Sequence, residues 1–129
     1  MMNTKKPIYE VPVPSTDFTM EAMLCGDTIR FGYRKQKTDY KGGIRFRGIL
    51  ATRTRAERCC KPWHIEQTYD TLAEVEESSW VEEMGADTEE RWRDAWEMHH
   101  FIIYLDSVGC FELIAESWEA VAEEPGTWA

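Results

Sequence analysis

Residues 99–118 read HHFIIYLDSVGCFELIAESW, and this stretch decides the fold. Phe101, Ile102, Ile103, Tyr104 and Leu105 are β-branched or aromatic apart from the final leucine. A strand built from them is apolar on both sides, so it belongs inside a sheet, covered on one face and at least partly on the other. Asp106-Ser107-Val108-Gly109 has turn chemistry, since Asp caps its own backbone and Gly tolerates positive φ. Cys110 to Ala115 then returns as a second strand, with Phe111 and Leu113 on one face and Glu112 on the other. A central β-hairpin is expected, with the remaining elements packed around it.

Outward from the hairpin the pattern turns helical on both sides. Asp87-x-x-Glu90 is a capping box, and Trp92, Ala95, Trp96 and His99 follow at i, i+3, i+4 and i+7. This predicts a helix whose stripe buries Trp92 and Trp96 against the hairpin. Ser79-x-x-Glu82 opens an earlier helix that Gly85 ends, and Ser117 opens a final one that Pro125-Gly126 stops. Further back, Thr28–Arg34 alternates Ile29, Phe31 and Tyr33 with Arg30, Gly32 and Arg34, the pattern of a half-buried strand. Residues 44–53 alternate likewise, after a polar loop at 35–43. Antiparallel pairing of the two puts Arg30, Arg34, Arg45 and Arg47 on one face. The stretches 17–25 and 69–75 suit strand and helix equally, and 54–67 reads as irregular chain around Pro62.

Prolines 7, 12 and 14 make residues 1–17 an extended arm leading into one domain over 18–129. Strands come first, then helices, then the hairpin and a terminal helix. That order excludes β-α-β alternation and a parallel sheet. The expected class is α+β: a single compact domain with an antiparallel sheet of about 4–5 strands and short helices packed on one face. A chain of 129 residues has the length for such a core, and six tryptophans supply large apolar surfaces for it.

No segment reaches the roughly 20 apolar residues of a membrane helix, and the first residues lack the apolar core of a signal peptide. A cytoplasmic protein with no membrane partner is expected, its Cys25, Cys59, Cys60 and Cys110 reduced.

Charge is unevenly spread over the net −9. Residues 1–61 carry 13 bases and six acids, whereas 62–129 carry 18 acids and only Arg91 and Arg93 as bases. Such asymmetry points to an interaction surface. Catalytic chemistry finds no motif: there is no phosphate-binding glycine loop and no Gly-x-Ser-x-Gly elbow. Adjacent pairs such as Glu82-Glu83 and Glu89-Glu90 diverge rather than share a site. Cys59, Cys60, His64, His99, His100 and Cys110 are possible metal ligands, but neither a C-x-x-C nor an H-x-x-x-H spacing occurs. No metal and no cofactor is expected.

Two surfaces remain. The acids Glu82, Glu83, Asp87, Glu89, Glu90, Asp94 and Glu97 lie in one short region, and concentrated carboxylates attract a basic protein surface and speed its capture. Small acidic proteins without a catalytic motif often cover a nucleic-acid-binding or catalytic groove, as toxin-immunity proteins and phage inhibitors of bacterial defence, including anti-CRISPR proteins, do. The expected function is therefore that of a non-enzymatic inhibitor of a basic protein partner, on an analogy of size and charge. The alternative is nucleic-acid or nucleotide binding through Arg30, Arg34, Arg45 and Arg47, against which the net charge acts. A metal-dependent enzyme built on the Cys and His residues ranks third.

Overall fold

A computed structural model describes residues 4–93 and 95–128. The hairpin is present as β7 (His99–Leu105) and β8 (Gly109–Ala115), paired from His99↔Ala115 to Leu105↔Gly109. β7 is the middle strand of a five-stranded sheet completed by β1 (Thr4–Glu10), β6 (Thr71–Glu76) and β5 (Ala51–Ala56), in the order β1-β6-β7-β8-β5. A four-stranded sheet holds β2 (Met23–Cys25), β3 (Thr28–Lys35), β4 (Thr38–Arg47) and β9 (Ser117–Pro125), in that order. All the pairings between these strands are antiparallel.

The expected α+β class is overturned: the chain is mostly β, and the layer over the hairpin's inner face is a second sheet, not helices. Ile29, Phe31, Ile44 and Phe46 of one sheet and Leu72, Phe101, Ile103, Leu105 and Leu113 of the other form one fully buried cluster. Phe46 meets Phe101 across it with ring centroids 5.6 Å apart. The other face of this sheet carries Ala73 and Val75 of β6 with Ile102, Tyr104 and Cys110 of the hairpin, packed under Trp63 and Ile65. Those two belong to the single turn α1 (Pro62–Ile65), which Lys5 ties down through the backbone oxygens of Trp63 and Glu66. The ammonium sits 4.2 Å from the Trp63 ring centre, and burial lowers its pKa.

Four local expectations change in the fold. The final helix is the strand β9. Its Glu- and Ala-rich sequence favours helix in isolation, but β4 offers a ladder from Tyr40↔Pro125 to Arg47↔Ser117. Arg45 and Arg47 then reach Glu119 at 3.7 and 3.1 Å, and Trp118 packs on Tyr9 at 5.4 Å. The polar loop at 35–43 is a two-residue turn: Gln36 and Lys37 both have positive φ, as a type I′ turn requires, so β4 already begins at Thr38. The tryptophan-bearing helix shrinks to the single turn α3 (Glu90–Arg93), because His99, the last member of its stripe, starts β7 instead. Part of the expected arm, Thr4–Glu10, is the edge strand β1, where Pro7 removes no ladder bond that a central strand needs.

Gly43 shows how closely β3 and β4 approach. A Cβ there would lie 2.6 Å from the backbone oxygen of Ile29, which cannot move without its strand. Gly43→Ala is expected to cost about 1–3 kcal/mol, as overpacking does. A denaturation midpoint equal to that of the wild type would show that the two strands have slack.

Candidate functional site

The chain leaves β6 at Glu76, turns through Glu77 at φ +53°, and enters α2 (Ser79–Asp87) with Ser78 as N-cap. The capping residue is thus one position earlier than the Ser79 box predicts. Ser78 Oγ accepts the Val81 N–H at 3.2 Å and lies 2.7 Å from His100 Nδ1. His100 Nε2 lies 2.8 Å from Glu112 Oε1, and Arg53 grips both oxygens of that carboxylate, each at 3.0 Å. Ser78, His100 and Glu112 are respectively 5, 2 and 4 % exposed. Trp80 closes the row from above, edge-on to His100 at 5.1 Å and 4.0 Å from the Arg53 guanidinium.

Burial alone would raise the Glu112 pKa. Hydrogen bonds from His100 and Arg53, with the charges behind them, outweigh it and hold the group down to about 2. A cleft of about 500 Å³ opens beside this row, lined by Ser78 and His100 and rimmed by Glu74, Glu76, Glu77 and Glu82. The hairpin register makes His100 and Glu112 neighbours: Ile102 faces Glu112 across the ladder, and His100 shares the Ile102 side of its strand. That much is legible in residues 99–115, although the positions of Ser78, which caps α2, and of Arg53, on β5, are not.

The predicted acidic surface runs along α2 and the chain that follows it. Glu82, Glu83, Asp87, Glu89, Glu90 and Glu97 are all exposed, and Asp94 lies outside the described residues. Arg91 pairs with Glu89 at 2.8 Å, and His99 approaches Glu97 at 3.9 Å. The other acids have no ion-pair partner among the described residues. In their midst stand Trp92 and Trp96, 45 and 39 % exposed, with ring planes 22° apart and centroids at 6.3 Å. Their expected burial against the hairpin is wrong. The single turn α3 is too short to form the stripe, and the hairpin's two faces are already filled from elsewhere.

The four arginines do share the outer face of the four-stranded sheet, but not as free charges. Arg34 pairs with Asp39 at 2.9 Å, Arg45 and Arg47 share Glu119, and the Arg30 guanidinium lies 4.6 Å from the Trp128 ring centre. The neutralising acids come from β4 and β9 of the same sheet rather than from helices above it.

Among the described residues no three His, Cys, Asp or Glu side chains gather as a metal needs. Cys25, Cys59, Cys60 and Cys110 are free thiols. His64 accepts the Lys61 N–H on Nδ1, His99 holds Glu74 at 2.8 Å, and burial pushes the Cys110 thiol up to about 12. Among the described residues no helix is long and apolar enough to cross a membrane. No protein-family model, curated protein or solved structure matches the chain.

Proposed function

We propose that the protein binds and neutralises a basic protein partner through the acidic surface formed by α2 and the segment that follows it. The observation that carries this reading is the exposed, mutually stacked pair Trp92–Trp96 set among exposed carboxylates. Large aromatics at a surface are the residue type that anchors interfaces, and they are normally buried when nothing binds them. The acids around them select a cationic surface and accelerate its capture. An inhibitor covering a basic nucleic-acid-binding or catalytic groove, in the manner of an immunity protein or an anti-defence protein, needs these two features together. The pairing of Arg34, Arg45 and Arg47 with acids of their own sheet, and the stacking of Arg30 on Trp128, count against the nucleic-acid alternative.

Reversing Glu82, Glu83, Glu89 and Glu90 to Lys tests the reading. Partner capture from an extract of the source cell is expected to disappear, with the main loss in association rate and with the wild-type rate falling steeply as salt rises. Melting should change little, because exposed charges contribute at most about 1 kcal/mol each. Reversal of Arg45 and Arg47 to Glu is the control. Capture that survives the acid reversals but is lost with the arginine reversals would move the site to the sheet.

A further inference from the structure

We propose that Ser78 is an activated nucleophile, with His100 as its base and Glu112 as the group that orients the base, and that the cleft they line hydrolyses small esters. This activity goes beyond the partner-binding reading and stands independently of it.

Three observations converge on Ser78. The contacts Ser78 Oγ···His100 Nδ1 at 2.7 Å and His100 Nε2···Glu112 Oε1 at 2.8 Å form a continuous nucleophile–base–carboxylate row. The serine stands at a sharp strand-to-helix turn whose preceding residue, Glu77, holds the strained φ of +53°. A serine hydrolase presents its nucleophile from the same kind of turn. Here Glu76-Glu77-Ser78-Ser79-Trp80 lacks the usual glycines, so the likeness is one of geometry alone. Finally, the row ends at an open cleft of about 500 Å³ rather than at packed core. A helix cap needs the Val81 N–H but has no use for a buried imidazole and a clamped carboxylate behind it.

The chemistry balances without a cofactor. With His100 in the tautomer that donates its Nε2–H to the Glu112 carboxylate, the Nδ1 lone pair accepts the Ser78 hydroxyl proton. Oγ attacks the acyl carbon and bonds to it while its proton passes to Nδ1. The bond from that carbon to the alcohol oxygen then breaks, and Nδ1 returns the proton to the departing alkoxide. Water repeats the sequence: it gives a proton to Nδ1 and bonds to the acyl carbon, and Oγ leaves with the proton. Glu112 stays ionised throughout in the grip of Arg53 and stabilises the transient imidazolium. The positive end of α2 faces Oγ and favours the negative charge that develops on the substrate oxygen. The rim of Glu74, Glu76, Glu77 and Glu82 repels anions, so the substrate class is a neutral or cationic ester.

A neutral alkyl fluorophosphonate, read by intact mass and peptide mapping, tests the assignment; its P–F bond breaks as Oγ–P forms. One adduct on Ser78 is expected in the wild type and none in Ser78→Asn, which keeps a good N-cap. His100→Gln is expected to slow labelling at least about 100-fold, the lower range of general-base effects. Wild-type protein that melts normally yet leaves Ser78 unmodified would overturn the proposal. So would equal labelling rates in the wild type and His100→Gln, since Ser78 would then be accessible but not activated. Labelled protein with no Ser78-dependent release of p-nitrophenol from p-nitrophenyl acetate would overturn the hydrolytic step.

Discussion

Glu112→Ala is expected to cost about 3–5 kcal/mol, because it takes the shared carboxylate from buried His100 and half-exposed Arg53 at once. His100, 2 % exposed, loses the acceptor for its Nε2, and the Arg53 fork keeps its contact with Trp80 but loses its carboxylate. The same group predicts an acid transition. Its pKa is 4.5 in the unfolded reference and about 2 in the fold, so the carboxylate binds its proton more weakly when folded. The stability it contributes is therefore fully present above pH 4.5 and is lost as pH falls towards 2. At 1.36 kcal/mol per pKa unit that loss is about 3 kcal/mol. Glu112→Gln, which cannot ionise, should start less stable and show a flatter dependence between those limits. Parallel wild-type and Glu112→Gln stability curves from pH 5 to pH 2 would show that another group drives the acid transition.

Trp92→Ala and Trp96→Ala should each reduce partner affinity by about 30-fold or more, the effect of losing an anchor worth at least about 2 kcal/mol. Neither should change stability by more than about 0.5 kcal/mol, since both side chains are exposed and neither belongs to the buried core. The pair should not behave additively: one ring covers the other, so the second truncation adds less than the first. Dissociation is the step expected to change, in contrast to the acid reversals, which act on association. Affinity unchanged in the double variant, measured by titration against the captured partner, would remove the tryptophans from the interface. A loss of 3–5 kcal/mol in stability from either variant would place them in the core that their helical spacing suggested.

The hairpin was determined by residues 99–115 alone. A run apolar on both faces, a turn with Asp and Gly, and a return strand with period-2 alternation admit no competing local structure. The alternations at 28–34 and 44–47 were equally decisive, and they place the four arginines on one face as the register requires. The acidic segment was legible because charge needs no fold to be counted, and exposed acids stay where the sequence puts them.

What covers the hairpin was decided only in three dimensions. SWEAVAEEP at 117–125 has the composition of a helix, yet the open edge of β4 supplies a backbone ladder and two arginines for Glu119, and these long-range terms exceed a local preference of a few tenths of a kcal/mol per residue. Once β9 is a strand, the four-stranded sheet closes over the inner face of the hairpin and leaves the 92–96 stripe nothing to pack on. The Ser78–His100–Glu112–Arg53 row has the same origin. Its members lie before β7 or on β5, β7 and β8, and no sequence spacing relates a residue before α2 to one on β5. Only the order β6-β7-β8-β5 brings the four side chains together, because strand order fixes which residues become neighbours and local periodicity does not.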